Sequence, residues 1–354
     1  MQANTGRDES QQVPINKILD IEFDAHRAAG IECPEKEVSR RAYEKFVADI
    51  LERAKVRLAG RDIKEVNERE LFECLSTVLY EDMEAFYKKG KMLATAVLGN
   101  EFDCDVSSAL QTGVVTSAGR KISIMRAPGH EFLAGDEYAF ETTLKSNATL
   151  PKAELHLRYP YCHELSVEKG LLFGAHYRAG KMLFDAGKYA EARMAFQSAI
   201  ELNPENSDAW NGKGIAFKEM GRYGEALEAL NRAIELYPEN KDAWNNKGAV
   251  LTEIGRYGEA LGALERAMEL DPNWATPRYN KGILFLRGDS LGEALRAFEE
   301  VIGLDPECED AWHNKGAVLR KMGGDQEEID ACFRKAEELK NKSDHALVGL
   351  CRSK

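Results

Sequence analysis

Five glycines, Gly180, Gly214, Gly248, Gly282 and Gly316, follow one another at intervals of 34 residues. Pro204, Pro238, Pro272 and Pro306 keep the same interval, as do Ala192, Ala226, Ala260 and Ala294. Trp210, Trp244 and Trp312 share a further column, in which His176 and Arg278 replace tryptophan. A fixed period of this length restricts the C-terminal half to a stack of small supersecondary units, each too short to bury its apolar face alone. Five units are read, at about 173–206, 207–240, 241–274, 275–308 and 309–341. In the unit running from Ser207 to Lys241, Trp210, Gly214 and Phe217 recur at helical spacing, and Gly221-Arg222-Tyr223 forms a bend. Ala226, Leu230 and Ala233 line a second helix, and Pro238 stops it. The small residues allow the two helices to approach, while Trp210, Tyr223 and Leu230 fill the space around their contact.

Column by column this pattern resembles the tetratricopeptide repeat. The fifth unit departs from it, because Gly323-Gly324 inserts a residue and Glu328 or Ile329 stands where the small Ala belongs. That suits a terminal repeat with a more polar outer face. The resemblance implies a superhelix whose concave groove is lined by the first helices and takes a protein or peptide. Its groove column reads Tyr177, Asn211, Asn245, Tyr279 and His313, with Asp208, Asp242 and Asp310 one turn earlier. Asn211, Asn245, Tyr279 and His313 are the expected partner-binding residues, a hydrogen-bonding ladder for an extended peptide, weighed against amides that merely fill a solvated face. Repeats that clamp acidic C-terminal tails carry Lys and Asn at two groove columns. Here those columns hold Asn211/Ile215 and Asn245/Ala249, so that ligand class finds no support.

The N-terminal half has a different texture. Residues 1–30 read as a polar leader with a short apolar run, Ile15 to Phe23. Helical spacing follows over 35–59 (Ala42, Phe46, Ile50) and again over about 68–98. Asn100-Glu101-Phe102-Asp103 then precedes a small-residue helix opening at Cys104, and KISIMR and PGHEFLAGDEYAFETT read as a strand and a hairpin. A cysteine at a helix start is biased toward thiolate. A two-residue turn at Gly135-Asp136 sets His130 directly opposite Glu141, about 5 Å apart at Cβ. Asn100 could add an oxyanion donor. Cys-Asp opening a helix, Ala-Pro-Gly-His before a strand and Glu-Thr-Thr after the hairpin resemble the transglutaminase-like thiol domain, related to the papain-like peptidases. Over residues 99–143 that resemblance implies Cys104 as nucleophile, His130 as general base and acid, and Glu141 as orienter, a place the family usually gives to Asp. Cys162-His163 makes a poor dyad, since neighbours on a strand point to opposite faces.

The net charge of −12 provides no basic footprint for nucleic acid in either half. No apolar run reaches the roughly 18 residues of a membrane helix, and the first residues lack the basic-then-apolar order of a signal peptide. Seven scattered cysteines without a CxxC pair argue against zinc and against a disulfide framework. No phosphate loop or GxSxG elbow is present. The expectation is a cytoplasmic protein without metal or organic cofactor. Its fold class is an α+β transglutaminase-like domain (31–150), a connector (151–172), an all-α tetratricopeptide repeat superhelix (173–341) and a C-terminal tail (342–354). Two functions stay open: a peptide-binding repeat protein with a Cys-His-Glu site for amide acyl transfer, or a non-catalytic scaffold whose first domain is a second binding module.

Overall fold

The computed structural model describes residues 15–30, 48, 51–58, 60–61, 66–67, 69–71, 73–74, 115, 122–127, 130–141, 149–159 and 161–352. A β-containing N-terminal region is followed by all-α helical repeats, as the sequence predicts. Two compact units divide the chain, Met1–Met220 and Gly221–Lys354.

In the first unit, β1 (Ser123–Ala127), β2 (His130–Ala134), β3 (Tyr138–Glu141), β4 (Thr149–Pro151) and β5 (His163–Leu165) form an antiparallel sheet in the order β4-β3-β2-β1-β5. Between β4 and β5 lies the short helix α2 (Lys152–Arg158). The segment 151–172, read from the sequence as a connector, thus holds the last residue of β4, all of α2 and the edge strand β5. Both faces of the sheet are covered. Met125, Phe132, Ala134 and Ala139 share one face and pack with Leu155 of α2, Cys162 and Tyr159. Ile124 and Arg126 alternate to the other face, against α3 (Val167–Asp185).

The hairpin differs from expectation in one respect. Gly135 N–H donates to Tyr138 O at 2.9 Å, so the two turn residues are Asp136-Glu137, not Gly135-Asp136. The physical reason is burial: Gly135 is enclosed directly after β2, and the shifted turn puts both charged side chains in water. Every cross-strand pair moves with it. Glu141 stands opposite Phe132, and His130 pairs with Ala127 on its other side.

Within the segment read as a polar leader (1–30), the described residues form a helix, α1 (Ile15–Ala29). Ile21, Ala25 and Ala29, each four residues from the next, pack with Ala179, Met182, Leu183 and Phe184 of α3, and Lys17 pairs with Glu168. Helix α3 is 19 residues long, against 13 or 14 for the other first helices. Its added N-terminal turns, ahead of Phe173, dock the sheet: Arg126 of β1 lies 4.4 Å over the Phe173 ring and donates to Gly170 O.

Each repeat is a helix pair. In the first unit α3 pairs with α4 (Tyr189–Leu202), and α5 (Ser207–Glu219) packs on α4. In the second, α6 (Tyr223–Leu236) precedes the pairs α7 (Lys241–Glu253) with α8 (Tyr257–Leu270), α9 (Ala275–Arg287) with α10 (Leu291–Leu304), and α11 (Glu309–Met322) with α12 (Gln326–Arg352). The glycine column is the point of closest approach. A Cβ at Gly180, Gly248 or Gly282 would come within 2.6–2.8 Å of Phe196, Leu264 or Phe298, sixteen residues on. Bends between paired helices need a left-handed residue: Gly187, Gly221, Gly255 and Gly323 have φ of 71–77°, and Asp289 takes the same column at 59°.

Candidate functional site

Cys104 and Asn100 lie outside the described residues. His130 and Glu141 are placed by their backbones, and the expected direct opposition of the two is corrected by the register above: the residue facing Glu141 is Phe132. The imidazole–carboxylate pairing derived from the Gly135-Asp136 turn therefore loses its geometric basis. Among the described residues no cluster of His, Cys, Asp and Glu could hold a metal ion. Cys162 is enclosed in the sheet core, and burial first, then Glu164, pushes its thiol up to about 11. His163, on the opposite face, places Nδ1 2.8 Å from Glu205 Oε2 in the loop between α4 and α5. The two neighbours do not form a dyad, as strand alternation requires.

The groove column is built differently from the expected ladder. Asn245 is only 5% exposed and accepts a 2.8 Å hydrogen bond from Asn280 Nδ2 of the next first helix. Tyr279 repeats the arrangement, accepting from Asn314 Nδ2 at 2.9 Å. Burial, then the Asp310 carboxylate, raises the Tyr279 pKa. These two side chains join α7 to α9 and α9 to α11, with donors 35 residues further on. Asn211 is half-buried, and His313 is exposed with its ring edge-on to Phe333 at 5.3 Å.

A part-exposed row lies one and four residues beyond this column, and two of its amides are the donors just named. Asn246 and Ala249, Asn280 and Ile283, and Asn314 and Ala317 occupy equivalent positions on α7, α9 and α11, and all six are part-exposed. Spacing of three residues on a helix puts each amide and its apolar neighbour on one face. The row offers amides flanking an apolar strip with Ile283 at its centre.

A second periodic device was not anticipated. Trp210, Trp244 and Trp312 donate Nε1–H to the carbonyls of Pro204, Pro238 and Pro306 at 2.8, 2.9 and 3.0 Å. Arg278, in the same column, donates to Trp274 O instead. Each latch ties a first helix to the loop that precedes it. The constant six-residue spacing from Pro to Trp was the available signal.

Residues 213–273 and 279–344 match one family model described as a tetratricopeptide repeat, and residues 172–239 match another of the same description. No curated protein matches the chain. Among solved structures, MamA from Desulfovibrio magneticus RS-1 is 23% identical, with 49% of this chain and 97% of that one covered and a TM-score of 0.42. A second MamA crystal structure is 23% identical, covering 47% and 96%, at 0.41. YrrB, described as a TPR protein with an unusual peptide-binding site, is 26% identical, covering 51% and 91%, at 0.37. The C-terminal half of this chain is a tetratricopeptide-repeat region. Among the described residues no helix is long and apolar enough to cross a membrane.

Proposed function

We propose that the protein is a non-catalytic scaffold that holds a protein or peptide segment against its first helices. The observation that carries this reading is the part-exposed row at equivalent positions of α7, α9 and α11, with Ile283 in the same column as Ala249 and Ala317 and an asparagine three residues before each. An extended segment needs apolar contact at alternate residues and hydrogen bonds for its backbone, and this row offers both kinds of group at the repeat spacing. Asn245 and Tyr279 keep the helices in register, so their role in binding is indirect. Within the second unit His313 extends the same column. The N-terminal region serves as a base for the first repeat through Arg126, Phe173 and Gly170. With His130 no longer opposite Glu141, nothing favours acyl transfer over this reading.

Selection of a displayed peptide library on the full chain tests the proposal. Recovered peptides should bind the wild type and lose at least about tenfold in affinity to Ile283→Glu, which places a charge in the apolar strip. Because Ile283 is part-exposed but also packs against Ala294, Phe298 and Val318, binding is compared at a temperature below both melting transitions. Peptides that bind Ile283→Glu as tightly as wild type would move the site elsewhere.

A further inference from the structure

We propose that Lys247 of α7 is a modification site, a side-chain amine set up for acylation by a thioester donor. Its setting is defined by its own column, in which Lys213, Lys247, Lys281 and Lys315 hold one position of successive first helices. The last member shows what that position can face. Lys315 of α11 reaches Glu299 of α10 at 3.1 Å and Glu328 of α12 at 3.2 Å. Its ammonium thus lies between the second helices on either side and is neutralised by both.

Neither carboxylate serves Lys247. The position of Glu299 is held by Glu265 ahead of Lys281, by Gln197 ahead of Lys213 and by Asn231 of α6 ahead of Lys247. Gln197 is long enough to accept from Lys213 at 2.8 Å. Asn231 is one methylene shorter, and it is exposed without such a bond. On the other side, Glu259 of α8 stands in the place of Glu328, but Arg256 holds both of its oxygens at 2.7 and 2.6 Å. Among the described residues Lys247 Nζ makes no hydrogen bond and no ion pair. What it meets is the ring of Trp244, with the centroid 5.2 Å away.

An indole face compensates a part-buried ammonium less well than a carboxylate does. Burial holds the Lys247 pKa below the usual lysine value, with Glu259 opposing and Arg256 assisting. At Lys315 burial is outweighed by the hydrogen bonds to Glu299 and Glu328, and the pKa is raised. The neutral amine is the nucleophile. Its lone pair attacks the thioester carbonyl carbon, a C–N bond forms as the C–S bond breaks, and sulfur leaves as thiolate. The proton shed by nitrogen goes to that thiolate or to solvent. The product is an uncharged amide, which removes the charge that burial penalises.

None of these residues belongs to the row of asparagines around Ile283, so the proposal stands apart from peptide binding. The full chain is incubated with acetyl coenzyme A at about pH 8, where the neutral fraction of a depressed lysine is appreciable. Deuterated acetic anhydride after denaturation completes the unreacted lysines, and peptide mass spectrometry gives the rate at each. Lys247 should acetylate at least about threefold faster than Lys315. Asn231→Glu supplies on α6 the carboxylate that Glu299 supplies on α10, and should slow Lys247 by at least about threefold while leaving Lys281 unchanged. Asn231→Gln, which copies Gln197, should slow it less. Asn231 is exposed, so both variants should keep the wild-type melting temperature. A Lys247 rate no greater than that of Lys315 would overturn the proposal. So would an unchanged Lys247 rate in Asn231→Glu.

Discussion

Gly170 of α3 meets Ile124 of β1 so closely that an added Cβ would lie 2.8 Å from the Ile124 Cβ. Neither side can yield easily, because Ile124 is fully buried in the central part of the sheet and Gly170 is inside a helix. Gly170→Ala should therefore destabilise the first unit by about 1–3 kcal/mol, despite the better helix propensity of alanine. Combining it with Ile124→Ala should cost less than the sum of the single changes, a coupling that a double-mutant cycle of urea midpoints would measure.

Asn280→Ala removes the donor to a buried amide and should cost about 1–3 kcal/mol, because Asn245 is left unsatisfied. Tyr279→Phe should cost less, since its donor Asn314 is part-exposed and can turn to water. Equal losses from the two substitutions would mean that the bonds are not sustained in solution.

Asp289 is the single non-glycine residue with positive φ among the described residues. Asp289→Gly relieves a left-handed conformation that a side chain resists, and should raise stability by up to about 1 kcal/mol. Gly255→Ala, at the same column with φ 77°, should lower it by a similar amount. Thermal melts of the two variants should move in opposite directions.

His176 occupies the tryptophan column half-buried, and burial depresses its pKa below 6.5 against the opposing pull of Glu201. The unfolded chain then takes up the proton first as pH falls. This contribution to stability is whole above about pH 6.5 and declines as pH drops, levelling only below the folded-state value. His176→Trp should flatten that slope, which urea midpoints at about pH 7.5 and about pH 5.5 would show.

Cys162 should resist iodoacetamide at neutral pH in the folded protein, since both burial and a thiol pKa of about 11 withhold the thiolate. Rapid labelling without denaturant would mean that the sheet opens readily on the α2 side.

The repeats were legible because a column of glycines can only be explained by a recurring close contact, and Gly248 against Leu264 or Gly282 against Phe298 is that contact. Helix α1 was missed because its buried stripe is Ile21, Ala25 and Ala29: alanine carries little hydrophobic weight in a sequence, yet packs well where backbones approach. The hairpin was recognised but its turn was displaced by one residue. Gly135 and Asp136 make a plausible turn locally, and only the enclosure of Gly135 by the sheet moves the bend to Asp136-Glu137. The packing of the groove column was hidden for a related reason. A sequence shows which residues recur on a helix face, but not that Asn245 finds its partner 35 residues away in Asn280.

The Trp–Pro latch joins residues six apart, and the glycine contact joins residues sixteen apart; neither depends on where in the chain a unit stands. A duplicated block between Pro238 and Pro272 would arrive with its own latch and its own close contact already encoded. The same block inserted ahead of Phe173 would instead part that ring from Arg126 and Gly170, which the added turns of α3 hold together. Growth of such a chain over generations is therefore admitted in its interior and barred at its N-terminal junction.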